Sequence, residues 1–386
     1  MSAWDYVVLA ETSKWYSGGT PSTTSPEYWN GEIPWISASS MHDFYIRDSE
    51  RRVTPIGLDN GTRLVPKNTI IFVVRGMSLQ TEFRIGITRR AVTFGQDCKA
   101  LIPTSSFDPF FLAYFLRSQT YDILGLVEEA SHGTGKLPTE AISQIKVPEP
   151  PLPEQKSIAA VFSGLDDKID LLQRQNKTLE AMAETLFRQW FVEDAQEGWD
   201  ERPLSSIANF LNGLACQKYP PANDLEKLPV LKIRDLTSGI TEASDWATSD
   251  VKPGYIVKAG DVIFAWSASL MVKVWDGEKC VLNQHLFKVT SDKFPKWFYL
   301  RWCKHHLAEF IAVAASHATT MGHIKRGDLD AAMVLVPPPP VLETMSKQMQ
   351  PLLDKQIAIA RQRKTLEKLR DTLLPKLMSG EVRVAC

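Results

Sequence analysis

Three polar loops occur twice in this chain. Ser37-Ala-Ser-Ser40 is matched by Lys232-Ile-Arg-Asp235, each after a short apolar segment that follows a proline. Arg75-Gly-Met-Ser78 is matched by Trp266-Ser-Ala-Ser269, and Arg75 leads into a basic stretch with Arg84, Arg89 and Arg90. Ser131-His-Gly-Thr-Gly-Lys136 is matched by Ser316-His-Ala-Thr-Thr320, which runs on to His323, Lys325 and Arg326. Guanidinium, ammonium and hydroxyl groups on loops can hold phosphate oxygens and tell base edges apart. The candidate DNA contacts are therefore Ser37, Ser39, Arg75, Ser78, Arg84, Arg89, Thr134 and Lys136 in the first half. In the second half they are Lys232, Arg234, Trp266, Ser267, His317, Thr319, Thr320 and Lys325. Taken singly, each fits ordinary loop chemistry at least as well, and the repetition of three loops gives the set its weight.

Bond-making chemistry finds little support. Gly133-Thr-Gly-Lys136 resembles part of a phosphate-binding loop, but Ala130 stands where the earlier glycine belongs, and Leu137 where Ser or Thr belongs. Glycine-rich strand-to-helix turns, a nucleophile elbow and clustered metal-ligand spacing are all missing. Asp122, Glu154 and Lys156 can be arranged on paper like a nuclease site, yet Glu154 and Lys156 already fit a helix pattern. The five cysteines, Cys98, Cys216, Cys280, Cys303 and Cys386, are scattered, as expected of reduced structural thiols. A non-catalytic protein without a metal or cofactor of its own is expected. With no apolar run near 20 residues and no signal-like start, it is expected to be cytoplasmic and to make no membrane contact.

The elements that must carry these loops are legible from a long internal repeat. Arg174-Gln-Asn-Lys-Thr-Leu-Glu180 matches Arg361-Gln-Arg-Lys-Thr-Leu-Glu367 at an offset of 187, which Asp167-Lys168 and Asp354-Lys355 share. Lys146-Val-Pro-Glu-Pro-Pro151 parallels Leu335-Val-Pro-Pro-Pro-Pro340 at 189, and Asn68-Thr-Ile-Ile-Phe72 parallels Gly260-Asp-Val-Ile-Phe264 at 192. The order read from this is domain (1–150), long helix (151–197), domain (198–338), long helix (339–386), with proline clusters at each passage from domain to helix.

Both domains are near neutral, with 14 basic and 16 acidic residues in 1–150 and 16 basic and 15 acidic in 198–338. The helical segments carry opposite charge, net −4 for 151–197 and net +4 for 339–386, which favours their pairing. In the first, Ile158, Phe162, Leu165, Ile169, Leu172, Asn176, Leu179, Ala183, Leu186 and Trp190 follow strict 4-3 spacing, the seam of a coiled coil. The second seam is weaker: Met345, Met349, Leu352, Gln356, Ile359, Arg363, Leu366, Arg370, Leu373 and Leu377, with three polar interruptions that suit register fixing. From Ile158 to Trp190 the seam is about 48 Å long, more than the roughly 34 Å of one duplex turn. An antiparallel pair of such helices could hold two domains over separate sites on one face of DNA. The alternative, amphipathic helices packed each on its own domain, stays open.

Within each domain, short β-branched strands such as Ile70-Ile-Phe-Val-Val74 and Val262-Ile-Phe264 lie among aromatic helical stretches, Phe110-Phe-Leu-Ala-Tyr-Phe-Leu116 and Trp297-Phe-Tyr-Leu-Arg-Trp302. An α+β fold of mixed sheet plus helices is expected, in two similar copies related by a pseudo-twofold repeat.

The chain resembles the specificity subunit of type I restriction-modification systems over nearly its full length. The resemblance rests on Ser17-Gly-Gly-Thr-Pro-Ser22 with Tyr28-Trp29 and Ile33-Pro-Trp35, on Pro150-Pro-Leu-Pro-Glu-Gln155, and on Leu374-Pro-Lys-Leu-Met-Ser-Gly-Glu-Val382. The second domain departs from the pattern, with Asn212-Gly-Leu-Ala-Cys216 in place of Gly-Gly-Thr-Pro. The resemblance implies that each domain reads one half of a split sequence in double-stranded DNA, and that the helices set the gap and dock two modification subunits. Methylation and cleavage would belong to partners, using S-adenosylmethionine, and ATP with magnesium where a restriction or translocase subunit joins. Two other classes stay open: a self-sufficient nuclease or methyltransferase, and a coiled-coil scaffold that binds protein alone.

Overall fold

The computed structural model describes residues 4–130, 133–241, 243–316 and 322–384. It divides into two compact units, residues 1–167 with 368–386, and residues 168–367. Each unit thus holds one sheet-bearing domain together with a stretch of both long helices.

In the first unit the core sheet has five strands in the order Ser13–Ser17, Cys98–Pro103, Ile70–Val73, Ile85–Thr88, Tyr45–Ile46, antiparallel except for the last pair. Its central strand Ile70–Val73 has no exposed side chain, as expected for a β-branched run covered on both faces. The aromatic helix Pro109–Ser118 buries Phe111 to Leu116 in the same core. Its start is fixed by Pro109 and by Asp108, whose carboxylate accepts from the backbone N–H groups of Phe110 and Phe111. A second sheet pairs Trp29–Ile36 in parallel with Val92–Phe94, and Asp5–Val8 pairs with Lys146–Glu149 to bring the two ends of the domain together.

The second unit repeats this plan. Asn209–Asn212, Leu286–Thr290, Val262–Ala265 and Met271–Val274 form its core sheet. Lys227–Leu231 pairs in parallel with Cys280–Leu282, and Asp200–Pro203 with Met333–Val336 closes the domain. The aromatic helix Lys296–His305 buries Trp297, Phe298 and Trp302. The four described cysteines, Cys98, Cys216, Cys280 and Cys303, are free and buried, and burial pushes their thiols above the ordinary range. None is a reactive thiolate.

The long helices run Leu152–Arg188 and Pro339–Met378. In the first unit Asp166 meets Arg370 while Glu154, earlier in the chain, meets Arg383, later in the chain, so the two segments run antiparallel. Their buried stripe differs from strict 4-3 spacing. Ile158, Phe162, Ile169, Leu172, Met345, Met349, Ile359 and Leu377 are buried as the heptads predict. At other positions the next residue is the more buried one: Asp166 in place of the half-buried Leu165, and, at the end of the helix, Phe187 and Phe191 in place of the half-buried Leu186 and Trp190. On the second helix Leu353 and Leu374 are likewise more buried than Leu352 and Leu373. A helix of 3.6 residues per turn drifts about 20° per heptad from a 3.5 repeat, so toward the end of the first helix, some four heptads from Ile158, burial passes from Leu186 to Phe187. Asn176, Leu179 and Leu366 are half-buried, and the Asn176 side-chain oxygen is buried without a partner among the described residues.

Candidate nucleic-acid interface

In the first unit, the buried strand Ile70–Val73 runs out of the core into Arg75–Gly76, which pairs antiparallel with Thr134–Lys136. Arg75 faces Lys136 and Gly76 faces Gly135, while the Leu137 N–H donates to the Val74 carbonyl at 2.9 Å. Two loops widely separated in sequence thus form one ribbon beyond the end of the central strand. Gly76 takes φ +153°, a conformation that favours glycine, and the side of it where a side chain would stand is lined by Ser78, Val73 and Ala38. The serine loop 37–40 therefore stands against the same ribbon.

Arg75 and Lys136 are both exposed and, among the described residues, neither is in an ion pair. Glu128 lies in register on the other side of Lys136, leaving one carboxylate against two cations in this row. Like charges directly opposite across a ladder repel, and an anion bound between them would relieve that repulsion. Beside them Met77 is 75% exposed, and the Gln80 side-chain amide donates to the Gly133 carbonyl, bracing the ribbon.

Several candidates serve the scaffold. Arg84 donates to the Ala38 carbonyl at 3.0 Å and pairs with Glu82 at 2.8 Å, which ties down the serine loop. Ser37, Ser39 and Ser40 hydrogen-bond among themselves. Arg89 lies at the far end of the strand Ile85–Thr88 from Arg84, stacked over Tyr45 and Phe110, so the structure does not bring it to Arg75. Thr134 is half-buried within the ribbon, opposite Ala130, and Ser78 is half-buried. Glu154 accepts from Arg383 and Trp4, which accounts for one member of the paper nuclease site.

The second unit has the same ribbon with different side chains. Ser267 pairs with His323, the Ile324 N–H donates to the Trp266 carbonyl at 3.1 Å, and the Ala268 N–H to the Gly322 carbonyl at 2.9 Å. The hydrogen bonds make Trp266 the counterpart of Val74, Ser267 of Arg75, and His323 of Lys136. This corrects the sequence match of Arg75 to Trp266 by one residue. It follows the offset of 192 seen for the preceding strand, because ladder pairing rather than local similarity sets the register.

Trp266 is half-buried, stacked on Phe287 at 5.6 Å and close to His285 and His323, with its ring N–H donating to Asn212. Ser267 is only 6% exposed and its hydroxyl contacts His285 Nδ1 at 3.2 Å. It therefore orients the exposed His285 more readily than it touches a ligand itself. His285 lies in the turn Asn283-Gln-His285, whose counterpart in the first unit is Gly95-Gln-Asp97: the Trp266 N–H donates to the His285 carbonyl as the Val74 N–H does to that of Asp97. The candidates chosen from sequence omit this turn. Its signal is three polar residues between two apolar runs.

Lys232 and Arg234 are engaged within their own loop. Lys232 pairs with Asp245, and its hydrogen bond holds that carboxyl below its usual range. Arg234 donates to the Ala243 carbonyl and sits 3.6 Å from Asp235. Lys325 is exposed, and its backbone N–H is capped by Asp328. His317, Thr319 and Thr320 lie outside the described residues, as do Ser131 and His132. Among the described residues no helix is long and apolar enough to cross a membrane.

The family model described as "Type I restriction modification DNA specificity domain" matches residues 1–181 and again 196–368. The chain is 26% identical to the type I restriction enzyme MjaIX specificity subunit of Methanocaldococcus jannaschii, with 99% of this chain and 94% of that protein aligned. It is 30% identical to the EcoR124I/EcoR124II specificity subunit of Escherichia coli over 44% of this chain and 46% of that one. The S subunit of the type I restriction-modification system of M. genitalium shares the fold, with a TM-score of 0.60 at 14% identity over 97% of this chain and 96% of that chain.

Proposed function

Because this chain belongs to the family of type I restriction modification DNA specificity domains and carries two of them, we propose that it is the DNA-recognition subunit of such a system. Each domain reads one half of a split duplex target, and the paired long helices fix the gap between the halves. One observation carries the assignment of the reading surface: in both units an interior strand of the core sheet runs on into the same ribbon, filled with different polar groups. Arg75, Lys136 and Asp97 occupy it in the first unit, where Ser267, His323 and His285 occupy it in the second. A shared backbone with divergent donors and acceptors is what reading two unlike half-sites requires. Arg75 and Lys136 supply fixed positive charge suited to guanine or phosphate, and the second unit supplies imidazole, indole and amide groups.

Catalysis belongs to partners on this reading. Two modification subunits dock on the helices and bring S-adenosylmethionine, and a restriction or translocase subunit brings ATP and magnesium. The assembly works in the cytoplasm, where the DNA is, and the chain itself cuts and methylates nothing. The test is a methylation map of DNA from cells expressing this chain with its modification partner, against cells with the partner alone. A new split motif that depends on this chain is expected. An assembled and active complex that yields no such motif would overturn the reading and favour a scaffold role.

A further inference from the structure

Each unit contains a carboxylate on the first long helix that gathers donors from two further elements, the aromatic helix of its domain and the second long helix. Asp166, on the first long helix and 5% exposed, accepts from the Tyr114 hydroxyl at 2.9 Å, Arg117 at 3.1 Å and Arg370 of the second long helix at 2.8 Å. Glu180, also on the first long helix, accepts from both terminal nitrogens of Arg301 at 2.8 and 2.9 Å, from Lys304 at 2.6 Å and from Gln356 of the second long helix at 3.0 Å. Burial opposes the Glu180 charge, but Lys304 and Arg301 outweigh it and hold the carboxyl down to about 2. Burial and the charge of Asp166 push the Tyr114 phenol far up, so it stays a donor.

The donors on the recognition domains stand at matching places. Asp108 caps one aromatic helix and Pro295 the other; counted from those caps, Tyr114 matches Arg301 and Arg117 matches Lys304. The acceptors do not match. The offset of 187 that relates the long helices carries Asp166 to Leu353, which is buried in the apolar core of the second unit. The two units thus reach the same three-way grip through carboxylates that the repeat does not relate, so duplication alone does not explain it.

Apolar packing is nondirectional and lets a helix slide or roll at small cost. Bidentate and charge-assisted hydrogen bonds have fixed geometry. A buried ion cluster such as that of Asp166 adds little net stability over an apolar one, and a half-buried one such as that of Glu180 is partly screened by water, so their contribution is sought in geometry instead. We propose that Asp166 and Glu180 are positioning residues, each locking the aromatic helix of its domain to both long helices at one angle and thereby holding the gap between half-sites to a single value. This rests on the split-target reading above.

The experiment uses the complete complex, assembled with its modification subunits, and targets whose gap is native or one base pair longer or shorter. With Asp166→Asn or Glu180→Gln, methylation of the altered-gap targets relative to the native one is expected to rise by about tenfold, the scale of losing a charge-assisted hydrogen bond. The bases required in each half stay the same. A purely structural role would lower thermal stability while leaving this ratio unchanged, and that result overturns the proposal. If Asp166→Asn prevents assembly, Tyr114→Phe and Lys304→Gln each remove a single donor, and a ratio unchanged in both is equally decisive against it. If the unaltered complex recognises no split target at all, the reading beneath the proposal fails instead.

Discussion

Replacing Arg75 by alanine separates a reading residue from a scaffold residue. Its side chain is exposed and, among the described residues, makes no ion pair, and it faces Lys136 across the ribbon. Removing it leaves no buried group unsatisfied and relieves a like-charge contact, so folding stability should stay within about 0.5 kcal/mol of the parent. If the guanidinium spans a base edge, its loss costs about 1–3 kcal/mol, roughly 5- to 150-fold in affinity, and relaxes one position of the first half-site. If it holds a phosphate instead, binding weakens evenly across sequences, and the slope of log affinity against log salt shrinks by about 1. Fluorescence anisotropy of the assembled complex distinguishes these outcomes, using duplexes altered in one half or the other over a salt series. Arg84→Ala serves as the control: it unties the Ala38 carbonyl and the serine loop, so its effect should appear in stability first. Equal relaxation of both half-sites by Arg75→Ala, or no effect on affinity, salt slope or selectivity, would refute the ribbon as the reading surface.

Three further outcomes follow from the same geometry. His285→Ala should weaken discrimination at the second half-site and leave the first unchanged, read by the same anisotropy assay. Leu172 is 2% exposed in the seam, so Leu172→Asp buries an unpaired charge and should abolish a stable complex at neutral pH, measured as loss of partner assembly by light scattering; normal assembly would sink the seam. Glu180, whose carboxyl is held down to about 2 against an ordinary 4.5, stabilises the charged form of the fold. Its contribution is fully present above pH 4.5 and is lost as pH falls toward 2. Thermal melts across that window should show a shallower acid decline in Glu180→Gln than in the parent.

The shift of the buried stripe is also open to measurement. Phe187 is 4% exposed whereas Leu186 beside it is half-buried. Phe187→Ala should cost about 3–5 kcal/mol and Leu186→Ala clearly less. Urea unfolding compares them directly, and the reverse order would restore the strict heptad.

What the sequence by itself determined is whatever local pattern can encode. Repeated segments, proline clusters and helical periodicity marked two α+β domains alternating with two long helices, since a helix buries a face that its own spacing defines. Polar loops between apolar runs marked the candidates for reading groups. Tertiary structure decided which of those groups are free to read. Arg84, Lys232 and Arg234 look as available as Arg75 in one dimension, but their donors are taken by Ala38, Asp245 and Ala243. The ladder moved the counterpart of Arg75 from Trp266 to Ser267, and brought in His285 from a turn that no motif marks. Asp166 and Glu180 read as surface charges on an amphipathic helix until donors of the aromatic helices meet them, burying Asp166 and half-burying Glu180. Backbone pairing and burial join residues far apart in sequence, and side-chain spacing along one segment carries no record of what will face it.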